Sequence, residues 1–94
     1  MITRIVKMTF RPGSSEEFLG IFNANKKFIA GSEGCTSLQL LNEKSNPDVF
    51  FTVSVWESEE YLNQYRNSKL FEEVWGKTKL LFAAKPEAWT LDTL

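Results

Sequence analysis

Hydrophobic and polar residues alternate along four stretches of the chain, and this two-residue period predicts four β-strands. The predicted strands cover residues 2–10, 36–44, 49–56 and 87–93. The segment Asn46-Pro47-Asp48, between the second and third strands, is typical of a tight turn. These two strands are therefore expected to form a hairpin.

Three other stretches carry apolar residues at the three- and four-residue intervals of amphipathic helices. The first helix is expected to begin after Ser14, which forms the pattern of a capping box with Glu17. Its predicted apolar stripe consists of Phe18, Ile21, Phe22, Asn25, Phe28 and Ile29. Ser58 is expected to cap a short second helix, and a longer third helix is expected between Ser68 and Pro86.

The third predicted strand carries large apolar side chains on both of its faces. Its odd positions, from Val49 to Val55, are all apolar, and its even positions include Phe50 and Trp56. One layer of helices can cover only one face of a sheet, so the second face needs another partner. In a chain of 94 residues that partner is expected to be a second copy of the same chain, packed sheet against sheet.

The predicted elements follow in the order β-α-β-β-α-α-β, within one domain that spans residues 1–94. Chain order and the handedness of crossovers favour a ferredoxin-like α+β sandwich, in which helices cover one face of an antiparallel sheet.

The composition argues against several classes of function. A net charge of −1 gives no attraction to nucleic acid or to anionic membranes. No apolar run approaches the ~20 residues of a membrane span, and charged residues interrupt the segment 1–7 too often for a signal peptide. The chain has no histidine, which argues against a zinc site and against a Ser/His/Asp triad.

The single cysteine, Cys35, leaves no partner for an internal disulfide. A reducing compartment, the cytoplasm, is therefore the expected location. Cys35 is expected on the same face of the second strand as Leu41, as an unreactive packing residue, because no basic neighbour lowers the pKa of its thiol.

Three segments of the chain together form a pattern that is found in one known family. They are Arg11-Pro12-Gly13 after the first strand, Val53-Ser54-Val55-Trp56-Glu57-Ser58-Glu59-Glu60, and Ser68-x-x-Phe71. With this pattern nearly the whole chain resembles the antibiotic biosynthesis monooxygenase (ABM) family. The resemblance implies a homodimer, a dimeric α+β barrel, with a ligand pocket in each subunit between sheet and helices. Family members include cofactor-independent oxygenases of quinols and polycyclic aromatics, haem-degrading enzymes, and proteins without demonstrated activity.

The residues that family members use for chemistry are replaced in this chain. The haem-degrading branch implies an Asn, a Trp and a haem-ligating His at positions that hold Val6, Tyr65 and Trp75 here. None of the three matches, so haem is not expected as a cofactor. The quinol-oxygenase branch often carries histidines where this chain has Tyr65 and Leu70. Without them an electron-rich phenol or anthrone can still supply electrons to O₂ itself, so no cofactor is expected.

Six residues are candidates for the lining of the implied pocket, while no catalytic residue is assigned. They are Arg4, Asn25, Trp56, Tyr61, Tyr65 and Trp75. Aromatic walls suit a flat aromatic ligand, and tyrosine hydroxyls would anchor its polar groups. The same aromatic side chains also fit ordinary core or interface packing, and both interpretations stay open at this point.

Arg4 and Asn25 have two interpretations as well. Arg4 could pair with a phenolate or a superoxide-like anion. It could instead extend into solvent or form a salt bridge to Glu43, Glu57 or Glu87. Asn25 could bind a ligand or hydrogen-bond a neighbouring backbone group.

Three functions follow from these observations. The first is a cofactor-independent monooxygenase that oxidises a small aromatic quinol, phenol or anthrone with O₂. The second is a non-catalytic dimeric protein of the same fold that binds a small molecule or acts as a scaffold. The third is an isomerase or lyase that acts on a related small aromatic or lactone. Fold alone does not separate them, because one fold hosts many activities.

Overall fold

The computed structural model describes all residues from Met1 to Leu94. Its strands are β1 (Ile2–Thr9), β2 (Cys35–Asn42), β3 (Val49–Trp56) and β4 (Glu87–Asp92). Its helices are α1 (Ser15–Ala30), α2 (Glu59–Arg66) and α3 (Lys69–Thr78), and a 3₁₀ turn follows at Lys79–Leu81. The strands pair antiparallel in the order β2-β3-β1-β4, which confirms the predicted ferredoxin-like α+β sandwich. None of the helices has the length and apolar character needed to cross a membrane.

The even-numbered residues of β1 point toward the helices, and we call this side of the sheet the helix face. Arg4 lies near the middle of this face, opposite Ser54 on β3 and Thr90 on β4. Two groups of buried side chains lie at the two ends of β1. The larger cluster consists of Val6, Met8, Phe10, Phe18, Phe22, Phe50 and Leu81. The smaller cluster consists of Ile2, Trp56 and Leu62.

The odd-numbered residues of β1 point to the other side of the sheet, which we call the back face. Its large apolar side chains are Ile5, Leu41, Phe51, Val53, Val55, Trp89 and Leu91. Leu41, Trp89 and Leu91 are 43 to 48% exposed. The structure therefore confirms that β3 carries large apolar side chains on both of its faces. The helices cover only one of the two.

Helix α1 begins without the predicted capping box. Ser14 has near-helical torsion angles, φ −96° and ψ −7°, and its side chain makes no capping hydrogen bond. A capping serine needs an extended backbone, so the prediction was wrong for this conformational reason. Ser15 Oγ instead donates a hydrogen bond to Asp48 Oδ1 at 3.1 Å, which joins the start of α1 to the turn between β2 and β3.

The predicted start of α2 is confirmed, and α3 begins in the same way. Ser58 Oγ accepts a hydrogen bond from the backbone N–H of Tyr61 at 3.4 Å, and Ser68 Oγ accepts one from Phe71 at 3.1 Å. Helix α3 is shorter than predicted, because the chain tightens into the 3₁₀ turn after Thr78 and becomes extended at Phe82. Phe82 then pairs with Phe10 in an isolated bridge that extends β1.

Two residues lie on a different side than predicted. The pairing of β2 with β3 shifts between Cys35 and Ser37, and this irregularity turns Cys35 onto the helix face, where it packs against the smaller cluster. Burial raises the pKa of the Cys35 thiol, which therefore stays protonated at neutral pH, as an unreactive packing residue should. Phe28 was predicted in the buried stripe of α1 but is 64% exposed, while its neighbour Ile29 is buried.

Candidate functional site

A cavity of about 80 Å³ lies between the helix face of the sheet and the helices. From the sheet it is lined by Arg4, Val6, Met8, Leu38, Thr52, Ser54 and Trp56. From the helices it is lined by Phe18, Phe22, Ile29, Tyr65, Phe71, Val74, Trp75 and Thr78. Eleven of these 15 residues are hydrophobic, and Arg4 is the only charged one. Such a lining suits a ligand that is mainly apolar and has one polar or anionic end.

Aromatic side chains from α2 and α3 form one continuous wall of the cavity. The ring of Tyr65 stacks on Trp56 with centroids 5.2 Å apart and an interplanar angle of 26°. Phe71 meets Tyr65 edge-on at 5.3 Å, and Trp75 stacks on Phe71 at 5.8 Å. Phe71 and Trp75 are four residues apart on α3, so they share one face of the helix. A flat ring that entered the cavity would contact this wall.

Trp56 contributes an apolar surface and no free polar atom. Its side chain is 1% exposed, and its indole Nε1 donates a hydrogen bond to Ser54 Oγ at 2.9 Å. An indole has a single N–H donor, so no donor remains for a ligand. Trp56 therefore fits both interpretations, as a core residue and as a residue of the pocket lining. It lies in the core, and its ring also borders the cavity.

Tyr65 brings a hydroxyl group to the cavity. Its hydroxyl has no hydrogen-bond partner within the protein, and its side chain is half-buried. Burial raises the pKa of Tyr65 to about 12, with a smaller upward contribution from Cys35 and an opposing one from the positive charge of Arg4. The hydroxyl therefore stays protonated at neutral pH and is free to donate a hydrogen bond to an acceptor oxygen of a ligand.

The raised pKa of Tyr65 predicts a loss of stability at high pH. Between pH 10.0, the ordinary pKa, and about pH 12 the unfolded chain releases the Tyr65 proton while the folded chain keeps it. The folded state then binds more protons, so the free energy of unfolding falls as pH rises through this window, by about 2 to 3 kcal/mol. Urea unfolding below and above the window measures this fall, which should be smaller by that amount in Tyr65→Phe. Equal falls in both proteins would contradict the assignment.

Arg4 is the only cation of the cavity lining, and it has no ion-pair partner. The predicted alternative of a salt bridge to Glu43, Glu57 or Glu87 is wrong, because Glu87 pairs with Lys7 at 3.9 Å on the back face and no ion pair joins either of the other two to Arg4. The pKa of Arg4 is lowered, mainly by burial and to a smaller extent by the positive charge of Arg66. Tyr65 raises this pKa and so acts in the opposite direction. The guanidinium remains charged and is available to an anion.

Two of the six candidate residues lie outside the cavity lining. Asn25 Nδ2 donates a hydrogen bond to the Ile21 carbonyl one helical turn earlier, at 2.8 Å, so its amide serves the backbone of α1. Tyr61 packs beside the smaller cluster and against Gly34. The structure therefore brings together Arg4, Trp56, Tyr65 and Trp75, and leaves Asn25 and Tyr61 apart from them.

Sequence reasoning missed several residues of the lining. Thr52 and Ser54 stand at even positions of the third strand, on the face that also carries Phe50 and Trp56. Two hydroxyl side chains on an otherwise apolar, buried strand face are a signal that could have placed the site, because buried hydroxyls need partners. Phe71 and Val74 gave no such signal, since they look like any apolar helix position.

The cavity does not fit a haem group. The position that would hold an iron-ligating histidine is Trp75, and Val6 lies in the hydrophobic core. The one tyrosine of the lining, Tyr65, keeps its hydroxyl protonated, and a volume of about 80 Å³ is far smaller than a porphyrin. No group of three or more Cys, Asp or Glu side chains is arranged to hold a metal ion.

The chain is a small antiparallel α+β sandwich, and it has an apolar cavity between its sheet and its helices. These two features define its class of protein. The model of the antibiotic biosynthesis monooxygenase family matches residues 1–75. The chain therefore belongs to the antibiotic biosynthesis monooxygenase family, as the three sequence segments indicated. No curated protein sequence matches the chain.

Solved structures show the same fold at low sequence identity. A conserved protein from Methanosarcina mazei Go1 has a TM-score of 0.93 at 21% identity, covering 100% of this chain and 94% of that one. An antibiotic biosynthesis monooxygenase has a TM-score of 0.93 at 13% identity, with coverages of 100% and 99%. SnoaB, a cofactor-independent oxygenase from Streptomyces nogalater, has a TM-score of 0.86 at 18% identity, with coverages of 98% and 91%. At these identities the similarity extends to the fold and not to the substrate.

Proposed function

We propose that this protein is a cofactor-independent monooxygenase that oxidises a small aromatic quinol, phenol or anthrone with O₂ in the cavity between sheet and helices. The observation that carries the proposal is the cavity itself, which combines an aromatic wall with one unpaired cation and one protonated hydroxyl. Membership of the family supports it, as does the fold shared with SnoaB, a cofactor-independent oxygenase.

The proposed reaction needs no external reductant. A phenol with a free ortho or para position gives a quinone and water, and a quinol with a free ortho position gives a hydroxyquinone and water, because one oxygen atom joins the ring carbon and the other leaves as water. That water carries the hydrogen of the ring carbon and the hydrogen of the hydroxyl group. The ring supplies all four electrons that reduce O₂. The protein would bind the ring in a dry pocket and favour its anion, which transfers an electron to O₂ more readily than the neutral phenol.

Named residues would have separate roles in this reaction. Arg4 would stabilise the phenolate and the negative charge that develops on reduced oxygen. The Tyr65 hydroxyl would donate a hydrogen bond to the same oxygen atoms, and Trp75 would hold the ring against the wall. None of these roles requires a histidine or a metal ion.

Oxygen consumption by the purified, metal-free protein tests this function. We expect uptake above the autoxidation background with a panel of quinols, dihydroxynaphthalenes and anthrones, in proportion to protein concentration. Tyr65→Phe removes one donor to the developing charge and should lower kcat/KM by about a hundredfold. Phe28→Ala is the matched control, because Phe28 is exposed on α1 and away from the cavity. Uptake equal to background across the panel would refute the proposal.

One observation favours the alternative of a non-catalytic binding protein. The cavity is small, about 80 Å³, compared with the roughly 300 to 1,000 Å³ of ordinary ligand pockets. A site that binds without turnover would give saturable ligand binding under anaerobic conditions and no oxygen uptake in air. Measuring binding and oxygen uptake on the same ligands separates the two functions.

We also propose that two copies of the chain associate through the back face. This face presents a broad apolar surface across all four strands, and Leu41, Trp89 and Leu91 leave about half of their area exposed on it. An uncovered apolar surface of this extent on a small domain is typical of an interface. Lys7 and Glu87 neutralise each other at one end of the surface, so no unpaired charge there opposes contact.

The proposed dimer predicts a particle of twice the 10.8 kDa chain mass. Val53 lies in the middle of the back face, between Ile5 and Gln39, so Val53→Asp would bury a carboxylate in the interface. We expect Val53→Asp to be a folded monomer by light scattering and circular dichroism. Leu80→Asp, at an exposed leucine outside the sheet, should remain dimeric. A wild-type monomer at all micromolar concentrations would contradict the proposal.

We infer that the protein works in the cytoplasm. Its one cysteine is a protonated thiol, which a reducing compartment preserves.

A further inference from the structure

Positive charge collects at one end of the cavity without a counterion. No acidic side chain lines the cavity, and Arg4 forms no ion pair and no side-chain hydrogen bond. Arg66, at the last turn of α2, follows Tyr65 of the lining and borders a surface depression together with Phe71 and Trp75, so its charge lies beside the cavity and acts on Arg4. A half-buried guanidinium without a partner favours an anion beside it, so Arg4 is the point at which this end of the cavity would hold one.

The acidic side chains form no ion pair with either of these arginines. Asp92 lies on the helix face of β4, opposite Ile2, and forms no ion pair with Arg4. Glu72 and Lys79 share a shallow surface depression with Arg66, and no ion pair forms among the three. The two guanidinium groups therefore remain free for a ligand.

The same end of the cavity borders an open part of the sheet. Arg4 is paired with Thr90 of β4, and all six residues of β4 are exposed, so no helix closes the helix face beyond Arg4. A ligand could place an anionic group here, in contact with Arg4 and partly with water. Its apolar part would then point inward, along the wall formed by Tyr65, Phe71 and Trp75.

The volume of the cavity limits the size of the apolar part. A dry protein cavity of about 150 Å³ is known to accept one benzene ring. At about 80 Å³ this cavity accepts one ring only after small movements of half-exposed walls such as Trp75. A fused polycyclic ring system would need a much larger rearrangement of a closely packed interior.

We propose that the ligand of this site is a one-ring ortho-hydroxylated aromatic acid, with its ring inside the cavity and its carboxylate bound by Arg4, near Arg66. The assignment rests on the proposed function for the aromatic nature of the ligand and narrows its substrate class. Guanidinium groups bind carboxylates through paired N–H donors, which gives this end of the site its selectivity. In an ortho-hydroxylated acid the phenolic oxygen lies beside the carboxylate, so Arg4 contacts both groups and keeps the role proposed for it above. The Tyr65 hydroxyl donates to the phenolic oxygen.

Binding of matched ligands under anaerobic conditions tests the proposal without turnover. The probes are 2,5-dihydroxybenzoate, its neutral amide 2,5-dihydroxybenzamide, and hydroquinone, measured by calorimetry. We expect the acid to bind about tenfold or more tightly than the amide, which has the same shape and lacks the charge. The preference should weaken at high salt, because part of it is electrostatic at a solvent-open end of the site.

Arginine variants locate the source of the preference. Arg4→Gln should remove the preference for the acid over the amide almost entirely. Arg66→Gln, at an exposed position that tolerates substitution, should reduce this preference by about threefold. Arg11→Gln is the matched control, since Arg11 is an exposed arginine after the far end of β1, and it should leave the preference unchanged. Equal affinity for acid and amide, or a preference that persists in both Arg4→Gln and Arg66→Gln, would overturn the proposal. Absence of binding by all three probes would overturn it too.

Oxygen uptake on the same probes distinguishes this proposal from the monooxygenase function. If the acid binds selectively through Arg4 and no oxygen is consumed, the anion site stands and the monooxygenase function fails. If hydroquinone supports oxygen uptake and the acid shows no preference, the function stands and the anion site fails.

Discussion

Replacing Gly34 with alanine is expected to lower the free energy of unfolding by about 3 to 4 kcal/mol, from backbone strain and a steric clash together. Gly34 has φ +83°, in the left-handed region that side chains disfavour. A Cβ atom built there would also overlap the Cβ, Cγ and Cδ2 atoms of Tyr61. The Cβ atom of Tyr61 is fixed by the helix backbone and no side-chain rotation moves it, so α2 itself would have to move.

Gly13 separates the two costs of this substitution. Gly13 has φ +87°, nearly the same conformation, but an added Cβ would meet no atom within 4 Å. Gly13→Ala should therefore cost only the backbone strain, about 1 to 2 kcal/mol. Urea unfolding of both variants measures the difference. If the two substitutions cost the same, the close contact between Gly34 and Tyr61 does not hold α2 in place.

Replacing Trp56 with alanine should be as damaging, with a loss of about 3 to 5 kcal/mol. The indole is 1% exposed, stacks on Tyr65, and uses its N–H on Ser54. Its removal leaves a large void in the smaller cluster and an unpaired hydroxyl beside it. A domain of 94 residues has a total stability of about 5 to 14 kcal/mol, so this variant is expected to be partly unfolded at 37 °C.

Trp75 provides the comparison for Trp56. It also lines the cavity, but it is half-buried and also borders a surface depression next to the cavity. Trp75→Ala should cost only about 1 to 2 kcal/mol, because less apolar area is lost and the space opens to solvent. Thermal unfolding of the two variants should therefore separate clearly. Equal losses would mean that Trp75 is a core residue rather than a wall of the cavity.

The fold could be predicted because local signals agreed with one another. Alternation along β3, the serine caps of α2 and α3, and the turn at Asn46-Pro47-Asp48 each point to the element that the structure contains. The wrong predictions concern positions at which the backbone conformation, rather than the type of residue, decides the structure. Ser14 has the right side chain for a cap but the wrong torsion angles, and the pairing shift beside Cys35 reverses the side on which the thiol lies.

The candidate site was less predictable than the fold. Four of the six proposed residues line the cavity because strand alternation and helix spacing carry them to one place. Asn25 was a candidate because it is a polar residue within an apolar stripe. Its amide instead hydrogen-bonds the Ile21 carbonyl, a local contact that the sequence allowed but did not require. The lack of a partner for Arg4 could not be predicted either, since ion pairing depends on distances between elements far apart in sequence.

The division of the core into two clusters has a consequence for the motions of α2. This helix is held by the smaller cluster, in which Leu62 is its only fully buried residue, whereas α1 contributes Phe18 and Phe22 to the larger one. Segments with few buried contacts open locally at a lower free-energy cost than the whole molecule. Backbone amides of α2 should therefore exchange with deuterated water sooner than those of α1. A molecule lodged between the clusters would link them and slow this exchange, so α2 would report occupancy of the cavity even in the absence of any reaction.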